Sequence, residues 1–239
     1  MRKLILAFFL FASALVFGCK CHFQSFGENF AKNDFVAEIE ILKTYDVDFK
    51  TESDGRFYKA DIKILNLYKG KTISSILIRG KLGQIFGPAC EVKISKGDQF
   101  LVYVDSKSDF GISSCTPRKL LTDKNIEVER KAIQFLLKKE IENTNCFYFS
   151  GNYFKKFKNL IPKHEFAVYQ LKVNAQSKVE SISVIQDFGT AKDEEIKRSI
   201  KKNFTVLQDF MREMKNEKVI LVLFFDKNNP DIISNFIVN

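Results

Sequence analysis

The chain has 239 residues, of which 45% are hydrophobic and 25 are phenylalanine, so it has enough apolar material for one large or two small folded domains. The formal net charge is +9, but lysines alternate with aspartate and glutamate and do not form a basic stripe with aromatic platforms. The composition therefore argues against a nucleic-acid-binding protein.

The N-terminus has the pattern of an export signal. Two basic residues precede an apolar run over residues 4–17, and Gly18 follows it. The run is shorter than the roughly 20 residues that span a bilayer, so a retained anchor is the weaker interpretation. We expect residues 1–18 to be a cleaved signal peptide and the mature chain to have no transmembrane helix.

The processing site allows two outcomes. Val16 and Gly18 suit an ordinary signal peptidase, which predicts a secreted or periplasmic protein. The stretch ending at Cys19 is also close to a bacterial lipobox, in which Cys19 would be lipidated and would anchor the protein to the cell envelope. Phe17 is bulkier than a lipobox usually has at that position, so plain secretion is favoured.

Residues 35–117 have the pattern of a small β-barrel or sandwich. Apolar and charged side chains alternate at 35–41 and again at 58–64, which is typical of half-buried strands. A polar loop at 46–55 would join these strands as a hairpin. Further strands, separated by turn signals, are expected at 72–79, 90–94, 99–105 and 111–116.

Helical periodicity follows at residues 123–143, where isoleucine, leucine and alanine recur at helical spacing. This pattern predicts an amphipathic helix with one face packed on the barrel. We expect a boundary near 143–151 and then a small β-β-α-β domain. Its strands are expected at 165–173, 179–186 and 218–225, and its helix at 191–203.

The cysteines are Cys19, Cys21, Cys90, Cys115 and Cys146, all of which follow the predicted signal peptide. Outside the cytoplasm cysteines tend to pair, and an odd count leaves one over. Spacing alone leaves many pairings open.

Several sequence motifs contain these cysteines or lie between them in a characteristic order. They are Cys19-Lys20-Cys21, Asn33-Asp34-Phe35-Val36-Ala37-Glu38-Ile39, Leu67-Tyr68-Lys69-Gly70, Lys96-Gly97-Asp98-Gln99-Phe100-Leu101-Val102-Tyr103 and Ser113-Ser114-Cys115-Thr116-Pro117. Their order resembles the netrin-like domain family, whose best-known members are the tissue inhibitors of metalloproteinases. The resemblance covers residues 19–146 and implies a five-stranded OB-type Greek-key barrel followed by the helix.

The resemblance also implies a disulfide pattern, in which Cys19 pairs with Cys90 and Cys21 with Cys115. Cys146 resembles a third family cysteine whose usual N-terminal partner is missing here, so we expect a free thiol. If Cys19 is lipidated, four cysteines remain, and Cys90 could then pair with Cys146.

Two functions follow from the resemblance. In the inhibitors, the amine and carbonyl of the first cysteine chelate a protease zinc, which keeps an open coordination position. Carried over, Cys19 would be the chelator, Lys20 would enter the protease pocket and Cys21 would hold this tip rigid. Lys20 is long and charged where the family has a small hydroxyl residue, so a non-enzymatic barrel that binds a protein or envelope component is favoured over a metalloprotease inhibitor.

Residues 147–160 are expected to be a linker and 161–239 a second domain, which makes the whole chain mainly β with an α+β C-terminal part. Phe166–Val173, Lys178–Gln186 and the helix start at Asp193 resemble the carboxy-terminal domain of TonB-type proteins. That module contacts receptors by adding a strand edge. The resemblance implies a docking or structural role.

The sequence argues against an enzyme, and no cofactor or metal is expected. His22 and His164 stand at no metal-ligand spacing, and no Gly-x-Ser-x-Gly elbow or phosphate-binding glycine loop is present. Aspartates 46, 48 and 54 could bind calcium weakly, but a solvated hairpin tip explains them better. The phenylalanine-rich stretch at 147–157 is compatible with core packing or with contact to a membrane surface.

Overall fold

A computed structural model describes residues 21, 25–47, 57–83, 91–105, 111–141, 148–149, 157, 160–176, 178–204, 206–207, 218–225 and 233–234. Within these residues the protein is mainly β, with one sheet curled into a half-barrel and a second, smaller sheet. The predicted signal peptide, Cys19, Lys20, Cys90 and Cys146 lie outside the described residues.

The first sheet has six strands in the order β5-β3-β2-β1-β4-β6. The strands are β1 (Phe35–Asp46), β2 (Phe57–Lys69), β3 (Ser75–Arg79), β4 (Gln99–Val104), β5 (Gly111–Ile112) and β6 (Arg118–Leu120). All pairs are antiparallel except β3 with β5, which is parallel. Residues 113–117 thus connect the two outermost strands. A link of this length reaches at most about 20 Å, so the two edges lie near each other and the sheet curls.

The concave face of this sheet holds a hydrophobic core. Alternate residues of β1 enter it, because side chains of a strand point to opposite faces in turn. They are Phe35, Ala37, Ile39 and Ile41, and they pack with Tyr58, Ile76, Ile78, Val102 and Ile112. The predicted pairing of the first two strands as a hairpin is confirmed by the antiparallel register of β1 and β2.

Three helices are described: α1 (Phe26–Lys32), α2 (Ile126–Lys138) and α3 (Asp193–Asn203). The sequence analysis predicted α2 and α3 but not α1. At the start of α1 the Ser25 hydroxyl accepts a hydrogen bond from the Glu28 N–H at 3.3 Å. Ser-x-x-Glu before a helix is a capping signal, and it would have predicted this helix.

The second sheet has the order β12-β11-β8-β9. Its strands are β8 (Phe166–Val173), β9 (Val179–Gln186), β11 (Lys218–Phe225) and β12 (Ile233–Ser234), and a separate short pair joins β7 (Tyr148–Phe149) to β10 (Val206–Leu207). Strands β8 and β9, helix α3 and strand β11 follow one another in the predicted β-β-α-β order, with the short β10 added.

The central strands of the second sheet, β8 and β11, are buried on both faces. One face packs with Phe188 and with Ile196 and Ile200 of α3. The opposite face, which includes Phe166 and Phe224, packs on α1 and α2, and these helices also cover Val36, Leu101 and Tyr103 of the first sheet. Helices α1 and α2 therefore lie between the two sheets, and the two predicted domains share one hydrophobic cluster.

Aromatic rings mark the contact between the two parts. Phe26 of α1 meets Phe224 of β11 edge to face, with ring centroids 5.1 Å apart. Phe135 of α2 meets Phe166 of β8 in the same geometry at 5.6 Å. Burial on both faces explains why β11 is an almost unbroken apolar run.

Two strand predictions need correction. Residues 91–94, predicted as part of a strand, form no strand, although the Val92 N–H donates to the Arg79 carbonyl at 2.9 Å. The strand predicted at 111–116 ends at Ile112, and β6 begins unpredicted at Arg118. Serine and threonine between them bond to nearby backbone groups in place of a strand partner.

Gly70 is required by both conformation and space. Its φ is +96°, and a Cβ there would lie 2.5 Å from the Asp34 carbonyl oxygen. Gly97 has a similar φ of +87° but open space around it.

We expect Gly97→Ala to cost about 1–2 kcal/mol of unfolding free energy from backbone strain alone, and Gly70→Ala to cost at least about 1 kcal/mol more. Urea denaturation of both variants measures the difference, and equal losses would contradict the steric explanation.

Candidate functional site

A disulfide joins Cys21 to Cys115, with the Cα atoms 5.0 Å apart. This is the pairing that the netrin-like resemblance implies, and it is compatible with an extracellular location. Cys19, Cys90 and Cys146 lie outside the described residues, so their states stay predictions.

Cys115 lies on a loop, residues 113–117, that is tied by its own side chains. The Ser113 N–H donates to Thr116 Oγ1 at 2.8 Å, and the Cys115 N–H donates to Ser113 Oγ at 3.2 Å. The Arg118 guanidinium donates to the carbonyls of Ser113 and Thr116 at 2.8 and 3.2 Å. The half-cystine therefore stands on a loop that is held in one shape.

Helix α1 holds the N-terminal segment at a second point. Its Phe26 and Phe30 side chains are buried between the sheets. At its end, Lys69 Nζ donates to the carbonyls of Phe30 and Ala31, both at 3.1 Å, which places a cation at the helix C-terminus. The backbone at Cys21 is thus fixed on one side by the disulfide and a few residues later by α1. We call Cys21, held at these two points, the N-terminal tip.

Glu38, Arg130 and Tyr68 form a buried polar cluster under α2. Arg130 donates from Nε and Nη2 to the two carboxylate oxygens of Glu38, at 2.7 and 2.9 Å. The Tyr68 hydroxyl donates to Glu38 Oε1 at 2.6 Å. Burial by itself would raise the pKa of Glu38, but the hydrogen bonds from Arg130 and Tyr68 outweigh burial and lower it. This bidentate ion pair connects α2 to β1.

A second buried pair lies nearby. The Tyr103 hydroxyl donates to Glu129 Oε1 at 2.6 Å, and Lys119 Nζ lies 3.1 Å from Glu129 Oε2. Burial, and after it the negative charge of Glu129, raises the pKa of Tyr103 far above its ordinary value. Tyr103 therefore stays a neutral donor. Both clusters position the helix and leave α2 fixed on the sheet.

The period-two pattern predicted β1 as half-buried, with Glu38 on its polar face, but Glu38 is only 5% exposed. The difference arises because α2 covers that face of the sheet. The sequence shows Arg130 on α2 but does not show which carboxylate it pairs with, because Arg130 and Glu38 are 92 positions apart.

The other residues considered from sequence are dispersed. His164 is exposed, and His22 lies outside the described residues, as do Asp48 and Asp54. Phe157 is 3% exposed and packs in the core beside α3, which favours core packing for this member of the phenylalanine-rich stretch. In the described part of the chain, no group of three or more histidine, cysteine, aspartate or glutamate side chains could hold a metal ion. No helix within the described ranges is long and apolar enough to cross a membrane.

Strand β9 is the outermost strand at one edge of the second sheet, paired with β8 in the described residues. Several of its side chains face solvent, among them Ser181, Ser183 and Val184. An outermost strand presents backbone donors and acceptors to which another chain can pair. β9 is thus a second candidate contact surface besides the N-terminal tip.

We expect the disulfide to carry a large share of the stability of the chain. It closes a loop with a sequence separation of 94 residues, for which the chain-entropy model gives about 4–5 kcal/mol. The double variant Cys21→Ser/Cys115→Ser should lose free energy of unfolding on that scale, measured in urea at low temperature. Reduction of the wild type should cause at least as large a loss, because it would also break the predicted bond between Cys19 and Cys90. A double variant as stable as the oxidised wild type would contradict this assignment.

No protein-family model matches the chain, and no curated protein matches it. The netrin-like and TonB-like resemblances therefore stay predictions. The geometry supplies two surfaces for a functional proposal: the disulfide-fastened N-terminal tip and the outer strand β9.

Proposed function

We propose that this chain is an exported, non-enzymatic binding module built on a netrin-like OB-type barrel. Its partner is a protein or another component of the cell envelope. The observation that carries the proposal is the Cys21–Cys115 disulfide, which fastens the N-terminal tip to the loop that links both edges of the first sheet. A covalent fastening of this kind keeps a short segment in a fixed shape for recognition.

Strand order supports the OB-type assignment. Strands β4-β1-β2-β3 lie side by side in that order, with three consecutive strands and a fourth that returns beside the first, which is a Greek key. If β5 and β6 are taken as the two ends of one interrupted fifth strand, that strand contacts β3 at one end and β4 at the other. A partly open five-stranded Greek-key barrel is the OB architecture.

Contacts among the quoted motifs support the resemblance. Gly70 lies against the Asp34 carbonyl, and Tyr68 hydrogen-bonds Glu38. Asp34 and Glu38 belong to one motif and Tyr68 and Gly70 to another, and Tyr68 lies 30 positions after Glu38 in the sequence. The two motifs thus meet where β1 begins and β2 ends.

The second sheet supports a docking role. Its outermost strand β9 can accept an added strand from a partner, which forms backbone hydrogen bonds along the edge. The shared hydrophobic cluster joins this sheet to the barrel through α1 and α2. A partner bound at β9 would therefore have a fixed position relative to the first sheet.

The docking role can be tested by photo-crosslinking in the host. A photo-reactive phenylalanine analogue at position 181 or 183 of β9 should give a discrete adduct with an envelope component. The same analogue at position 198 or 201, exposed on α3, is the matched control and should give none. Absence of an adduct at 181 and 183, or identical adducts at all four positions, would contradict docking at β9.

A second candidate function, favoured by the disulfide next to the predicted first residue, is metalloprotease inhibition through the Cys19 amine and carbonyl. A panel of zinc metalloproteases assayed with the mature protein separates the two. The binding-module proposal expects no inhibition. Inhibition that disappears when the N-terminal amine is acetylated would establish the inhibitor instead, because acetylation removes the chelating lone pair.

A further inference from the structure

A cleft of 270 Å³ lies beside strand β2 and has a basic lining. Three of its lining residues are lysines, Lys81, Lys93 and Lys96, and none of the lining residues that the structure describes is acidic. The remaining polar groups that line it are the hydroxyls of Thr44, Ser95 and Tyr58. The sequence analysis did not identify this site, because the lysines come from two separate segments.

Tyr58 contacts both segments: its backbone pairs with Ile78 of β3, the strand that leads to Lys81, and its hydroxyl bonds to the segment that carries Lys93 and Lys96. Its hydroxyl donates to the Val92 carbonyl at 3.1 Å and accepts from the Ile94 N–H at 2.9 Å. The Val92 N–H in turn donates to the Arg79 carbonyl at 2.9 Å. Burial, the first cause, raises the pKa of Tyr58, so the hydroxyl stays protonated and can donate. Lys81 on one segment and Lys93 and Lys96 on the other are thus kept on the same cleft before any ligand arrives.

In the described part of the chain, no carboxylate forms an ion pair with the three lysines of the cleft. Elsewhere, cations pair with carboxylates, as in Lys32–Glu28, Lys119–Glu129, Arg130–Glu38 and Lys131–Glu165. The carboxylate of Asp98, close in sequence, accepts from the Ser95 N–H at 2.7 Å. Among the described residues, three lysines in the lining and the one carboxylate of Asp98 beside it leave an excess of positive charge, and a concave site with such an excess attracts anions.

We propose that this cleft binds a small phosphate-bearing molecule, with Lys81, Lys93 and Lys96 donating to the phosphate oxygens and Tyr58 positioning both lysine-bearing segments. A phosphate monoester carries about −1.5 to −2 charges and three strong acceptors at neutral pH, which suits three ammonium groups better than a single carboxylate does. The cleft is slightly smaller than the roughly 300–1,000 Å³ of pockets for drug-sized ligands. The cleft would bind such an anion whether or not the chain is exported.

Isothermal titration calorimetry at low salt tests the site, with pyrophosphate and glucose 6-phosphate as probes and glucose as the neutral control. The triple variant Lys81→Gln/Lys93→Gln/Lys96→Gln should bind at least about tenfold more weakly, since three charge-assisted hydrogen bonds are removed. The matched variant Lys63→Gln/Lys71→Gln/Lys124→Gln loses the same charge at exposed positions outside the cleft lining and should keep its affinity within about threefold.

Tyr58→Phe keeps all three lysines but removes the hydrogen bonds of the hydroxyl to Val92 and Ile94. It should weaken binding less than the cleft triple variant does, because the charges that contact the phosphate remain. Circular dichroism and thermal unfolding confirm that each variant folds. Tighter binding of glucose 6-phosphate than of the more highly charged pyrophosphate would support the proposal and assign part of the recognition to the organic group. No binding of either probe to the wild type, or equal losses in the two triple variants, would overturn the proposal.

Discussion

The link at residues 113–117 is the constraint on which the first sheet depends. It joins β5 at one edge to β6 at the other, so the sheet has to curl. The same link carries Cys115, and its serine and threonine hydroxyls and the Arg118 guanidinium hold its shape. A disulfide then joins Cys21 to this fixed loop. The curl of the sheet and the position of Cys21 therefore depend on the same five residues.

The helices between the sheets set how the two parts of the chain are related. Helix α1 and helix α2 both contact apolar side chains from each sheet. The buried carboxylates of Glu38 and Glu129 meet cations and tyrosine hydroxyls under α2. Breaking a buried ion pair by removing one partner is costly, so these clusters favour one position of the helix over others. The proposed function, with one contact at the N-terminal tip and another at β9, requires such a fixed relation.

Two groups of basic residues can be distinguished: those paired with carboxylates under α2 and those that line the cleft. Lys119 and Arg130 are matched to carboxylates at the helix, where burial makes an unpaired charge unfavourable. Lys81, Lys93 and Lys96 line a cleft that is open to solvent, where water offsets their mutual repulsion. The net charge of +9 therefore does not describe a uniform surface. A concentration of unmatched lysines at one concave site is what an anion would recognise.

Local patterns determined much of the fold. Period-two alternation predicted β1 and β2, and helical spacing predicted α2 and α3, because one face of each of these elements is buried. The sequence also predicted β8, β9 and β11, of which β11 is buried on both faces. The Ser-x-x-Glu signal for α1 was also present in the sequence.

The candidate sites were only partly predictable. The resemblance implied the Cys21–Cys115 pairing, but the burial of Glu38, the interrupted strand at 113–117 and the lysine cleft were decided by tertiary structure. Each depends on groups that lie far apart in sequence: α2 covers Glu38, and Tyr58 brings Lys81 and Lys93 to one cleft. Periodicity records which face of an element is buried, and it carries no information about the partner that buries it.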